Sequence, residues 1–491
     1  MKMFHPKALL KKYQNLNRAV KASFWFLVCS FFQKGVAFIT TPIFTRLFTA
    51  DQYGIYSVSQ SWSSVISLLV GLKLSAEVYV QGLIKYEDDR DRYTSSLLGL
   101  SLTSSAVWTV VYLLFRPAFE RVIGLSPLLI GAMFAIVPLA DIYGFWASRK
   151  RVTLSYRSLL LLTVINVTVS PIVGILAVAY APDNFKVEAR VLSLLAVDLV
   201  MFLGIGINIF KQGRVFYDKK YWKHALKFNI PLLPHFLSLI VLNQSDRIMI
   251  KSFFNAAAAG IYSVAYSLSY TLNILNQAIA STLNPWIFKC LKDKNTKNIA
   301  RISYCLLILI AACNFALIAV APELISLLAP PTYRAAVWVV LPVTASNYFM
   351  FMYNLFATFQ YYYEKTAFVS AGSLLNAGLN VLLNFIFLML FKGQPNGFIA
   401  AGYTTLFCYI CYALAHYLFM RHINRTQMDG CKIYSGKIIV LISVFFLGIS
   451  ALITLLYPYP LIRWGVIVAG LLTLLLLRRR VSELFRQLKQ K

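Results

Sequence analysis

The stretch Gly54–Val58 reads GIYSV, and the same five residues return as Gly260–Val264, 206 positions further along the chain. A repeated pentamer indicates a duplication only if the same offset relates other parts of the sequence. The offset also relates three pairs of apolar runs, namely 24–45 with 229–250, 54–72 with 260–283, and 158–180 with 366–391. We therefore predict that the chain consists of two similar halves, each with one copy of the motif.

The apolar runs also determine the fold class. Of the 491 residues, 59% are hydrophobic and 13% are charged, and a soluble protein of this composition would expose large apolar patches. Runs of about 18–25 apolar residues are long enough to cross a ~30 Å hydrocarbon core as helices, and the alternating pattern of a transmembrane barrel is absent from the sequence. We predict an all-α polytopic membrane protein with about fourteen transmembrane helices. The predicted spans are 24–45, 54–72, 95–115, 124–145, 158–180, 191–210, 229–250, 260–283, 302–329, 336–358, 366–391, 398–420, 437–456 and 461–477.

Six predicted spans separate the two GIYSV copies, so both copies have the same orientation in the membrane. This arrangement is a parallel repeat, whose axis runs along the membrane normal. We expect two six-helix lobes, 1–212 and 213–425, around a central cavity. The last two spans have no counterpart in the first half, so 426–491 is predicted to be an additional two-helix hairpin with a basic cytoplasmic tail.

The net charge of +29 fits membrane topology better than nucleic-acid binding. Most Lys and Arg residues lie in alternate loops, on the side that also holds both ends of the chain. Cytoplasmic loops of membrane proteins carry such an excess of basic residues. We predict that both termini are cytoplasmic, that the partner of the basic loops is the phospholipid bilayer, and that no nucleic acid is bound.

Three basic residues are candidates for binding a phosphorylated substrate. Lys34 lies near the middle of the first span, where a charge is costly, and it either lines a cavity as an anion site or pairs with a carboxylate. Arg46 ends the first span, and Arg247 lies at a similar depth in the seventh. These arginines are either ordinary interfacial residues or a pair flanking the cleft, where guanidinium groups would bind a diphosphate in a bidentate manner.

Acidic residues in or near the spans are candidates for ion coupling, because a carboxylate in the membrane can bind a proton or Na⁺. They can equally pair with a basic residue. The four candidates are Asp141, Asp198, Asp246 and Glu323.

Two groups of amides are candidates for glycan binding. Three asparagines of the eleventh span recur at every fourth residue and so share one helix face, and the eighth span carries a second group. Amides donate and accept hydrogen bonds, as hydroxyl-rich ligands require, but they also join helices to each other in membranes. The residues are Asn376, Asn380 and Asn384, and Asn273, Asn276 and Gln277.

Several of these residues belong to a known signature. The segment Thr41–Tyr56, TPIFTRLFTADQYGIY, resembles the P-x-x-T-R-L…Y-G-x-Y signature of polysaccharide flippases of the O-antigen (Wzx) type. The segments Ile230–His235, Ser245–Ile250 and Gly260–Tyr266 are similar to the second-half signature of that family. The resemblance covers residues 20–425 and extends to the superfamily that contains the lipid II flippase and the multidrug-and-toxin extrusion transporters.

The resemblance implies two six-helix lobes that form a V around a cavity. It also implies a transporter of the bacterial inner membrane that moves an undecaprenyl-diphosphate-linked oligosaccharide, the repeat unit of O-antigen, capsule or exopolysaccharide, from the cytoplasmic to the outer leaflet. Alternating access would carry the substrate across. The coupling ion, H⁺ or Na⁺, and contacts with other polysaccharide-assembly membrane proteins are left open.

Two other functions compete with this interpretation. A multidrug or cation antiporter of the same fold predicts an acidic cavity, and a glycan polymerase or ligase predicts a large outer loop with catalytic residues. The sequence contains no Walker A loop, HExxH or GxSxG motif, and every predicted outer loop is short. We therefore predict a transporter that is not an enzyme and that needs no metal site or organic cofactor.

Overall fold

The computed structural model describes residues 17–296, 298–428, 430 and 432–476. These residues form α-helices joined by short turns and 3₁₀ segments, without a β-strand in the described ranges. The predicted all-α membrane class is confirmed. The α-helices are α1 Arg18–Leu47, α2 Ala50–Gly71, α3 Glu77–Lys85, α4 Arg90–Leu114, α5 Arg116–Ile123, α6 Pro127–Val152, α7 Tyr156–Tyr180, α8 Lys186–Gly213, α9 Lys219–Asn229, α10 Leu233–Phe253, α11 Ala256–Lys292, α12 Ile299–Ala319, α13 Ala321–Leu328, α14 Val337–Tyr362, α15 Thr366–Leu390, α16 Ala400–Gln427, α17 Gly436–Leu455 and α18 Pro460–Leu476.

Each of the fourteen predicted spans falls largely on one of these helices, and within the described residues eleven segments are long and apolar enough to cross a membrane. Helices α2 and α11 are outside this group because their serine, tyrosine and amide side chains lower their hydropathy. Helix α18 has only 17 described residues. The number fourteen therefore stays a prediction. Helices α2 and α11 are also the two that carry the GIYSV copies near their starts.

The start of α2 is fixed by a capping box. Thr49 accepts a hydrogen bond from the backbone of Gln52, and the Gln52 side chain accepts one from the backbone of Thr49. Such reciprocal bonds satisfy two backbone N–H groups that the first turn of a helix leaves unpaired. This cap sets the helical register of α2 and hence the face on which Gly54 and Ser57 lie.

Contacts divide the chain into two compact units. The first contains the described residues up to Val264 together with 328–332 and 370–404, and the second contains 265–327, 333–369 and the described residues from Thr405 onward. The boundaries pass through α11, α15 and α16, so these units do not follow the predicted lobes 1–212 and 213–425. The division into lobes stays a prediction.

The first unit has an aromatic core beside α3. Tyr79 stacks on Tyr93 with ring centroids 6.0 Å apart, and Phe145 meets Tyr79 edge-on at 4.9 Å. The Tyr79 hydroxyl hydrogen bonds with Thr94 Oγ1 at 2.8 Å. Burial raises the pKa of Tyr79 well above its usual value, so its hydroxyl stays protonated. Tyr221 of α9 packs on the same core.

The second unit holds the terminal hairpin α17–α18 through polar contacts. Tyr348 and Ser443 hydrogen bond at 3.1 Å, and the Tyr457 hydroxyl donates to the Ile318 carbonyl at 2.6 Å. Arg463, only 1% exposed, forms an ion pair with Glu323. These contacts attach both hairpin helices to α12, α13 and α14.

Candidate functional site

The two GIYSV copies contact each other within the first unit. The hydroxyl oxygens of Ser57 and Ser263 lie 2.5 Å apart. A Cβ atom on Gly54 would lie 1.7 Å from the Ala256 carbonyl oxygen, and one on Gly260 would lie 2.5 Å from that of Ala50. Only glycine permits this approach of two helix backbones, a packing that small residues make available in membrane helices. Sequence reasoning used the motif only as a register mark and missed this contact.

A buried carboxylate is bonded to Tyr262, the residue next to Ser263 in this contact. The Tyr262 hydroxyl donates to Asp246 Oδ2 at 2.5 Å, and Asn384 Nδ2 donates to Asp246 Oδ1 at 2.7 Å. Asp246 is 2% exposed. The sequence predicted Asp246 and Asn384 as separate candidates for ion coupling and glycan binding, and the structure brings them into one hydrogen-bonded cluster.

Further oxygen atoms surround this carboxylate, and we call the group the Asp246 cluster: Asp246, Tyr262, Asn380, Asn384, Thr404 and Ser245. Thr404 Oγ1 donates to Asn384 Oδ1, and Asn384 Nδ2 lies 3.3 Å from Asn380 Oδ1. Ser245 Oγ donates to Asn380 Oδ1 at 3.0 Å. The cluster therefore joins α10, α11, α15 and α16 around one charge. Ion coupling by Asp246 stays a prediction.

A second buried charge, Arg190 of α8, was missed by sequence reasoning. Its guanidinium carbon lies 4.9 Å from the ring centroid of Phe44 and 5.9 Å from that of Tyr56. Arg190 is 7% exposed, and a Cβ on Gly174 would lie 2.5 Å from its Nη1. The sixth span was predicted to begin at residue 191, so Arg190 was counted as a loop residue. The structure begins this helix at Lys186.

The predicted diphosphate residues occupy different settings. Arg46 is exposed at the end of α1, and its Nη1 donates to the Pro42 carbonyl at 2.8 Å. Arg247 is partly buried on α10, and its Nη1 donates to Gln244 Oε1 at 2.5 Å. Lys34 lies on α1, and its side chain is outside the described residues. Their assignment to a diphosphate stays a prediction.

The other three predicted ion-coupling acids each have a partner. Ser101 donates to Asp141 Oδ2 at 2.5 Å, and Asn166 donates to Asp198 Oδ1 at 3.4 Å. Glu323 forms the ion pair with Arg463 described above and also accepts from Trp464 Nε1 at 3.0 Å. Pairing with a basic residue, the alternative left open by the sequence, is what the structure shows for Glu323.

The amides of the second unit bond to nearby helices or to each other. Gln277 Nε2 donates to Asn273 Oδ1 at 2.6 Å, and Asn276 Nδ2 donates to the Asn347 carbonyl at 2.9 Å. Asn376 of α15, which belongs to the first unit, is buried. Interhelical hydrogen bonding therefore accounts for Asn276, as it does for Asn384. Glycan binding by these amides stays a prediction.

The sequence of this chain is similar to those of known proteins. The family described as polysaccharide biosynthesis protein matches residues 19–291. Lsg locus protein 1 of Haemophilus influenzae is 26% identical over 294 residues, which are 56% of this chain and 68% of that protein.

Solved structures show the same fold at low sequence identity. A lipid II flippase, MurJ, in an inward closed conformation superposes with a TM-score of 0.70 at 13% identity, covering 92% of this chain and 99% of the other. An inward-facing multidrug resistance MATE family transporter of the MOP superfamily gives 0.61 at 14% identity, covering 81% and 96%. These likenesses show the fold that the chain shares with both structures. The chain belongs to the polysaccharide biosynthesis protein family.

Proposed function

We propose that this protein is a flippase for a lipid-linked oligosaccharide. It moves an undecaprenyl-diphosphate-linked repeat unit of O-antigen, capsule or exopolysaccharide from the cytoplasmic to the outer leaflet of the bacterial inner membrane, with both termini in the cytoplasm. The observation that carries the proposal is a lipid II flippase fold in a chain whose family is one of polysaccharide biosynthesis.

The proposed mechanism is alternating access between the two halves. Lys34, Arg46 and Arg247 hold the diphosphate, because ammonium and guanidinium groups pair with phosphate oxygens. The glycan follows the amide-bearing faces of α11 and α15, while the lipid tail stays in the bilayer. A negative cell interior favours outward movement of an anion by ~2.3 kcal/mol per charge per 100 mV. ATP is therefore not required, and assembly with other polysaccharide-synthesis membrane proteins is compatible with this scheme.

We further propose that the Asp246 cluster is where H⁺ or Na⁺ couples to transport. The four predicted acids are not equivalent, since the Glu323 carboxylate faces a cation of the protein itself. Asp246 is buried and accepts hydrogen bonds from Tyr262 and Asn384, with the oxygens of Asn380 and Thr404 in the same network. Binding a cation there would rearrange hydrogen bonds that join four helices.

The central test is deletion of the gene in its host. Lipid-linked oligosaccharide should accumulate on the cytoplasmic leaflet and surface glycan should disappear, and both effects should be reversed by the intact gene. Normal surface glycan in the deletion strain, with no accumulated intermediate, would contradict the proposal.

A multidrug or cation antiporter is the second candidate. It is favoured by the fold shared with a multidrug resistance MATE family transporter and by the buried Asp246. This candidate predicts that the deletion strain becomes more sensitive to cationic drugs while its surface glycan is unchanged. The flippase predicts the opposite pair of results. A glycan polymerase or ligase is not favoured by the fold, which is shared with a flippase and a multidrug transporter.

A further inference from the structure

The two repeats surround equivalent tyrosines with opposite charges. Tyr56 and Tyr262 are the third residues of the two GIYSV copies. The Tyr262 hydroxyl bonds to the carboxylate of Asp246, whereas the ring of Tyr56 lies against the guanidinium of Arg190. The helices around Arg190 are α1, α2, α7 and α8. At the 206-residue offset they correspond to α10, α11, α15 and α16, the helices of the Asp246 cluster.

Arg190 is a buried cation without a carboxylate beside it. No Asp or Glu oxygen of the described ranges lies within 4.0 Å of its guanidinium nitrogens. Asp198, eight residues further along α8, interacts electrostatically with Arg190 but forms no ion pair with it, and accepts its hydrogen bond from Asn166. Because burying a charge without a partner is costly, this position favours an anion supplied from outside the protein.

The guanidinium group of Arg190 is held in place by its neighbours, but not all of its N–H groups donate hydrogen bonds to the described residues. Phe44 and Tyr56 restrict its position through their rings, as aromatic faces do for cations. Nη1 makes a long contact of 3.4 Å with Ser193 Oγ, and Nε donates no hydrogen bond to the described residues. A planar guanidinium fixed by aromatic rings is prepared to receive two oxygens of one phosphate group.

We infer that Arg190 is an anion-binding residue of this transporter and that it takes the phosphate oxygens of the lipid diphosphate. This inference rests on the proposed function for the identity of the anion. Arg190 would thus join Lys34, Arg46 and Arg247 in holding the diphosphate. Of the two equivalent tyrosines, Tyr56 lies against this anion-binding arginine, whereas Tyr262 bonds to the proposed coupling carboxylate. Gly174 is part of the site, because a side chain at that position would collide with Nη1.

The test is a titration of farnesyl diphosphate into the purified full-length protein in phosphatidylcholine nanodiscs, followed by tryptophan fluorescence. Arg190→Gln should weaken binding at least about 10-fold, as expected for loss of a charge-assisted hydrogen bond. Arg190→Lys should lie between the wild type and Arg190→Gln, since it keeps the charge without the planar fork. Farnesol, which has the tail without the phosphates, should bind both proteins equally.

Controls separate this role from a structural one. Arg157→Gln removes an exposed arginine at the start of α7 and should leave farnesyl diphosphate affinity unchanged. Equal farnesyl diphosphate affinity in Arg190→Gln and the wild type would overturn the inference.

Two further outcomes distinguish the source of the phosphate and the fate of the proposed function. If phosphatidylglycerol in the nanodisc, but not farnesyl diphosphate, is bound in an Arg190-dependent manner, the assignment to the lipid diphosphate is overturned. If farnesyl diphosphate binding depends on Arg190 while the deletion strain shows normal glycan, the proposed function fails and the anion site stands.

Discussion

Asp246 and Arg190, which lie beside the two GIYSV copies, show how the surroundings of a charged side chain determine which ion it can bind. Both are buried charges next to a tyrosine of the same repeated pentamer. The carboxylate is surrounded by hydrogen-bond donors and amide oxygens, which suits a cation that exchanges. The guanidinium is surrounded by aromatic rings and has an unused donor, which suits an anion.

At this scale we predict that Asp246→Asn abolishes ion-dependent transport while leaving the protein in the membrane. The amide is similar in size and keeps one acceptor for Tyr262, but it cannot bind a proton or attract Na⁺ as a carboxylate does. Surface glycan display and membrane levels of the protein are the measurements. Asp141→Asn is the matched control, since Asp141 bonds to Ser101 outside the cluster. Full glycan display by Asp246→Asn would rule out the coupling role.

Gly54 gives a second prediction at residue scale, this time for stability. The Cβ of Gly54→Ala would meet the backbone oxygen of Ala256, which cannot move aside as a side chain can. Overpacking of this kind costs typically about 1–3 kcal/mol, so the thermal midpoint of the purified protein should fall. Gly131→Ala is the control, because no atom lies within 4 Å of its added Cβ and alanine is the better helix former by about 1 kcal/mol. An unchanged midpoint in Gly54→Ala would show that the helices separate easily.

At the scale of elements, the contact between α2 and α11 can be locked. The Ser57 and Ser263 oxygens are 2.5 Å apart, so a Ser57→Cys/Ser263→Cys pair should form a disulfide, whose S–S bond is about 2.05 Å long. If alternating access separates these helices, oxidation should stop glycan export and a reductant should restore it. Each single cysteine variant should export normally under both conditions. Normal export by the oxidised pair would mean that the contact persists through the cycle.

The ion pair between α13 and α18 belongs to the same scale. Glu323→Gln leaves the buried Arg463 without its carboxylate, and an uncompensated buried charge is strongly destabilising. We expect a lower thermal midpoint, with partial recovery in Glu323→Gln/Arg463→Leu, where both charges are gone. The midpoints of both single variants and the double variant form the measurement. Independent, additive effects of the two substitutions would show that the pair does not hold the hairpin.

At the scale of the whole molecule, sequence reasoning predicted what depends on local pattern. All fourteen spans predicted from apolar run length fall largely on helices. A membrane helix needs about 20 consecutive apolar residues, and such a run can be recognised directly in the sequence. Arg190 was missed because the predicted sixth span begins one residue after it. The sequence of an apolar run does not show whether a charged residue at its end points to water or into the protein. The bond from Asn384 to Asp246 joins residues 138 positions apart, and no local pattern encodes such a pairing.

The contact between the motif copies has a reciprocal form. Gly54 faces Ala256 and Gly260 faces Ala50. Gly260 is the counterpart of Gly54 at the 206-residue offset and Ala256 is the counterpart of Ala50, so the two contacts are equivalent, and Ser57 meets its own counterpart, Ser263. An interface in which the same patch serves both sides is isologous, the kind that a two-fold symmetric homodimer uses. A half-length ancestor carrying GIYSV would have dimerised through this patch with identical surroundings for both tyrosines. In a single chain that constraint is absent, so Tyr56 can lie against a cation while Tyr262 bonds to an anion.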